Sequence, residues 1–141
     1  MIKIAFLTLV TISFSLSAEA GEPIIEPQYN AKLAQQLGAD EYGMKMYVMA
    51  FLKKGPNRNQ SAEEAQALQQ AHMQNIQRMA KSGELVLAGP FGANDHGMQG
   101  IYIFNVSTTA EAEALTATDP AIKAGRMLME LIHWYGSAAI M

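Results

Sequence analysis

The 141-residue chain has no cysteine. That absence excludes a disulfide scaffold, thiolate nucleophiles and cysteine-ligated zinc, so packing alone must stabilise the fold. Charge is sparse as well: charged residues are 16% of the chain and the formal net charge is −3. The signs are interspersed, and Lys53-Lys54 is too small a basic patch for a nucleic-acid footprint, so no nucleic-acid partner is expected. No serine sits in a G-x-S-x-G turn, and "GPFGANDHG" follows neither a Walker nor a dinucleotide pattern. The three histidines, His72, His96 and His133, lack ligand spacing, and neither a metal nor a cofactor is expected.

What is present begins with an address. Met1-Ile2-Lys3 is a short basic start, Ile4 to Leu16 is apolar and hydroxyl-rich, and Ala18-Glu19-Ala20 is a small-x-small cleavage site. Residues 1–20 therefore read as a cleaved export signal, which makes the mature protein periplasmic or secreted. The apolar run falls short of the ~20 residues of a membrane span, so no membrane contact is expected after cleavage. The remaining chain, about 120 residues, suits one domain with its own core. Residues 21–43, with Pro23 and Pro27, read as a linker carrying a short helix from Asn30 to Leu37, capped by Asn30 and stopped by Gly38. The domain proper is expected over residues 44–141.

Within it, "KMYVMAFLKKGPN" is a strand closed by a turn, and its apolarity on both faces implies cover on both sides. Ser61 and Glu64 form a capping box that opens a helix running to about Lys81. "ELVLAGPF" and "GIYIFNV" are two further strands around the loop "GANDHGMQ". Thr108 and Glu111 repeat the capping box, Asp119-Pro120 starts one more helical turn, and "RMLMELIHWY" is the last strand. The paired methionines at alternate positions, Met44 with Met46 and Met127 with Met129, fit strand packing better than soft-metal binding.

Strand, helix, strand, strand, helix, strand is the α+β, ferredoxin-like βαββαβ order: a four-stranded antiparallel sheet with two helices on one face. The other face is apolar and has no cover within the chain, so a second copy packed sheet to sheet, a homodimer, is expected. Trp134 and Tyr135 are assigned to the core or to that contact.

One helical position breaks the pattern. The apolar stripe of the long helix runs through Ala65, Leu68, Ile76, Met79 and Ala80, and His72 fills its gap. Helical side chains lean toward the helix amino terminus, and the topology brings the loop of Asp95 and the helix end at Asp119 to the same sheet edge. A carboxylate beside the imidazole would fix its tautomer and suit it to proton transfer. Each residue also has a structural reading: His72 as a satisfied core histidine, Asp119 as a helix cap before Pro120, and Asp95 as part of a turn with Asn94 and Gly97.

The run "HMQNIQRMAKSGELVLAGPF", then "GIYIFNVSTTAEAEALTATDPAIKAG" and the closing "ELIHWY", resembles the YCII-related (YciI-like) family of the dimeric α/β-barrel superfamily. The resemblance implies a dimer built sheet to sheet, with a pocket between sheet and helices and a histidine–aspartate pair. The family's histidine falls on His72, its loop aspartate on Asp95 and the aspartate of its Asp-Pro motif on Asp119. It implies a catalytic set of His72, Asp95 and Asp119, with Asp95 or else Asp119 orienting the ring. Most members have no established activity, and the assigned ones are similar to lyases or dehalogenases of small cyclic acids. Two readings follow: a cofactor-free acid/base enzyme acting on a small cyclic or carboxylated metabolite, with Arg126 or Lys123 holding a carboxylate, or a non-catalytic small-ligand-binding or structural dimer.

Overall fold

Local capping signals place the helices. The computed structural model describes residues 28–140, and the leader expected over residues 1–20 lies outside them. Helix α1 (Ala31–Gln36) starts where the Asn30 side chain accepts the Leu33 N–H at 2.9 Å. Strand β1 (Met44–Lys54) leads to helix α2 (Ala62–Lys81). There Ser61 Oγ accepts the Glu64 N–H and the Glu64 carboxylate accepts the Ser61 N–H at 2.7 Å, two amide donors that the helix itself leaves open. Strands β2 (Leu85–Pro90) and β3 (Met98–Phe104) follow, then helix α3 (Thr109–Thr116) behind a second box of Thr108 and Glu111. Helix α4 (Pro120–Lys123), a single turn, precedes strand β4 (Met127–Ser137).

The sheet order is β2-β3-β1-β4, with each neighbouring pair antiparallel. This is the ferredoxin-like α+β arrangement. Strand alternation sends Val48, Ala50 and Leu52 of β1, Tyr102 and Phe104 of β3, and Leu85 of β2 toward the helices, where they meet Met79 of α2 and Ala112 of α3. Met127, Met129 and Leu131 of β4 close that core at its flank. Burying a side chain the size of Phe104 or Met79 stabilises the fold by roughly 1.5–3 kcal/mol. The buried stripe of α2 differs in detail from the sequence reading: Ala80 is exposed and Asn75 is buried. Asn75 lies between His72 and Met79 on the helix face turned to the sheet, and Ala80 lies on its flank.

The opposite sheet face carries Met49 and Phe51 of β1, Ile101 and Ile103 of β3, and Leu128, Ile132 and Trp134 of β4. Leu128 and Ile132 are about half exposed, at 50% and 47%, as is Leu87 on the same face at the other edge of the sheet, at 43%. Trp134 lies over Gly136, where a Cβ would stand only 2.4 Å from the ring, and its ring centroid is 5.6 Å from that of Tyr47. Lys53 pairs with Glu130 on this face, its one ion pair among the described residues. No helix of the described residues is long and apolar enough to cross a membrane.

Candidate functional site

Three elements meet at His72. It stands in the middle of α2 on the sheet-facing side, 5% exposed. Asp119, fully buried, is the N-cap of α4, and its two carboxylate oxygens have separate partners. Oδ1 accepts the Ala121 N–H at 2.8 Å, and Oδ2 lies 2.6 Å from His72 Nδ1. A carboxylate only accepts, so Nδ1 carries the proton and Nε2 keeps its lone pair in the neutral ring. The second nitrogen faces the Tyr102 hydroxyl of β3, which donates to Nε2 across 3.3 Å. The two rings lie nearly parallel, 18° apart with centroids separated by 6.2 Å, and Phe104 meets Tyr102 edge-on.

The segment holding Asp119 is itself tied to α2. Arg78 Nη2 donates to Asn75 Oδ1 and to Thr118 Oγ1, each at 3.1 Å, so the residue before Asp119 is bonded to the helix that carries His72. The carboxylate thus has little freedom to turn away.

Of the aspartates named from sequence, the structure brings Asp119 to the ring. Asp95 is exposed in the turn between β2 and β3, where Asn94 makes the local hydrogen bonds, and it makes none to His72. Arg126 gives Nη1 to Gln60 Oε1 at 2.9 Å and Lys123 is exposed on α4.

Beside the imidazole lies a cleft of about 400 Å³, within the size range of small-molecule sites. Its walls are Leu52, Met73, Ile76, Ala88, Pro90 and Met127, and its polar groups come from His72, Tyr102, Gln69 and Gln99. Among the described residues no lysine or arginine lines it, so the carboxylate anchor expected at Arg126 or Lys123 has no counterpart there. Gly100 keeps one wall close: a Cβ there would stand 2.6 Å from the Gly89 carbonyl oxygen of the neighbouring strand. Among the described residues no three histidine, aspartate or glutamate side chains gather as a metal site.

Burial, and after it the charge of Asp119, pushes the Tyr102 phenol well above its ordinary range. The sign of the consequence is definite. The folded protein keeps this proton while the unfolded chain loses it above about pH 10, so the stability from Tyr102 is complete below that pH and falls as pH rises beyond it. Chemical denaturation between about pH 8 and about pH 11 should show a shallower alkaline loss in Tyr102→Phe than in the natural protein. Equal slopes would mean that Tyr102 does not hold its proton in the fold.

Tyr102 was not singled out by the sequence reading. The available signal was its position in "GIYIFNV", at the same strand parity as Phe104 and so facing the helices, where a buried hydroxyl needs a partner.

The family model of the YCII-related domain matches residues 46–134. Among solved structures, the 5-chloro-2-hydroxyhydroquinone dehydrochlorinase of Burkholderia phenoliruptrix, in complex with 2,5-dihydroxybenzoquinone, is similar at 20% identity and a TM-score of 0.44, covering 62% of this chain and 92% of that one. No curated protein matches the chain.

Proposed function

This chain belongs to the YCII-related domain family, and from that premise we propose that it is a cofactor-free acid/base enzyme, exported and homodimeric, acting on a small cyclic metabolite. The observation that carries the proposal is the 2.6 Å contact between buried His72 Nδ1 and Asp119 Oδ2 at the wall of a cleft. The contact directs the lone pair of Nε2 away from Asp119. In the reaction Nε2 takes a proton from a substrate carbon beside a carbonyl, and the imidazolium that forms is balanced by the Asp119 carboxylate. The electron pair left on the substrate either expels a leaving group, an elimination or dehydrohalogenation, or is reprotonated at another atom, an isomerisation. The apolar, cation-free lining favours an uncharged ring over a carboxylated chain. The half-exposed apolar residues of the opposite sheet face support the dimer.

The test is proton exchange. A panel of cyclic ketones and lactones is incubated with the protein in heavy water, and loss of the C–H signal is followed by proton NMR. His72→Gln is expected to slow any catalysed exchange by on the order of 10²–10⁴-fold while the protein stays folded. A variant that exchanges as fast as the natural protein refutes the assignment. Ligands that bind without exchange or turnover would favour the binding-module reading.

A further inference from the structure

The Tyr102 hydroxyl has one hydrogen-bond partner among the described residues, His72 Nε2. The 3.3 Å separation is long for a hydroxyl donor, whose bonds usually close to about 2.7–2.8 Å with oxygen acceptors, so the contact is weak and easily exchanged. Both residues line the cleft, and Tyr102 is 2% exposed with its ring braced edge-on by Phe104. The donor is therefore fixed in place and ready to be lent to another acceptor.

Resting on the His72 reading above, we propose that Tyr102 is a second catalytic residue, the donor that stabilises an oxyanion on the substrate, and that the substrate is accordingly an enolisable carbonyl compound or a hydroxylated ring. The chemistry couples the two residues. While Nε2 is unprotonated it accepts the Tyr102 O–H. When Nε2 takes the substrate's proton, the C–H bond breaks, an N–H bond forms, and the electron pair moves onto the substrate oxygen as an enolate. Nε2 now has no lone pair to offer, and two donors face each other. The Tyr102 hydroxyl is released at the step that creates a negative oxygen, and it turns to donate to that oxygen. On reprotonation the sequence reverses. No oxidant, metal or other co-reactant enters the balance. The raised phenol range supports the role, because the hydroxyl stays a donor throughout and does not compete as a base.

The experiment uses 4-nitrophenol, whose phenolate resembles an enolate in charge and shape, with 4-nitroanisole as an analogue that cannot ionise. At a pH where free 4-nitrophenol is mainly protonated, the natural protein is expected to bind it as the yellow phenolate, its proton passing to His72. Tyr102→Phe removes only the hydroxyl and should weaken phenolate binding about 10- to 100-fold, the usual value of a hydrogen bond to a charged group. Binding of 4-nitroanisole should be unchanged. In the natural protein, the Cζ resonance of Tyr102 should move when 4-nitrophenol is added and stay in place with 4-nitroanisole, a readout that does not depend on the variant's folding. Equal phenolate affinity in Tyr102→Phe, a silent Cζ resonance, or no binding of 4-nitrophenol as phenolate by the natural protein would each overturn the proposal. If His72→Gln abolishes ionisation of the bound probe and Tyr102→Phe binds the phenolate as tightly as the natural protein, only the role of Tyr102 fails. If His72→Gln still ionises it, the His72 reading fails with it.

Discussion

Asp119→Ala is expected to destabilise the protein by about 3–5 kcal/mol, whereas Asp119→Asn should fold nearly as well as the natural protein and lose proton transfer at His72. The difference lies in the two oxygens. Alanine leaves the Ala121 N–H and the His72 Nδ1–H without acceptors in an interior where Asp119 is fully buried. It also removes a helix cap, so a fall in Tm on the order of 10–20 °C should be measured. Asparagine caps as well as aspartate, and its amide oxygen keeps the bond to Ala121. Its NH₂ then faces Nδ1, which must become an acceptor, so the ring proton moves to Nε2. The nitrogen nearest the cleft is no longer a base. Loss of the correct tautomer behind a folded site costs on the order of 10⁴-fold in comparable histidine–aspartate pairs. Nitrogen NMR of the ring would report the switch, and heavy-water exchange would report its effect. An Asp119→Asn protein that keeps its Nδ1–H tautomer and its exchange rate would show that Asp119 is a cap and no more.

Ile132→Lys should convert a dimer into a folded monomer. Ile132 lies on the sheet face away from the helices, opposite Met49 in register and 47% exposed, so a lysine there is tolerated by the isolated subunit. In a dimer closed across this face, the same side chain sits within an apolar contact. Burying its charge without a partner would weaken association by about 10³-fold or more. Light scattering after gel filtration should give about twice the subunit mass for the natural protein and the subunit mass for the variant. A natural protein that remains a monomer at high concentration would remove the dimer from the proposal. A variant that loses its helical circular dichroism would show that the face is needed within one subunit.

Much of this was legible locally. The two capping boxes at Ser61 and Thr108 appear in the structure because a cap is a bond between residues three apart, requiring nothing from the rest of the fold. His72 stood out because a helical stripe has a fixed period, and an ionisable ring inside it has to be buried with a partner. The choice between Asp95 and Asp119 was not legible. Both aspartates belong to the same sheet edge by topology, but the turn around Asn94 leaves Asp95 in solvent. Capping and pairing looked like rival roles for Asp119, yet a carboxylate has two oxygens and the fold uses one for each.

By itself, then, the sequence determined the order of elements, the strand faces and the presence of a buried imidazole, since periodicity and capping act over a few residues. Tertiary structure alone decided which carboxylate meets Nδ1, that Tyr102 meets Nε2, and that no lysine or arginine of the described residues lines the cleft. Those contacts join residues 47 and 30 positions apart, and only the packing of α2 against β3 and α4 brings them within hydrogen-bond reach.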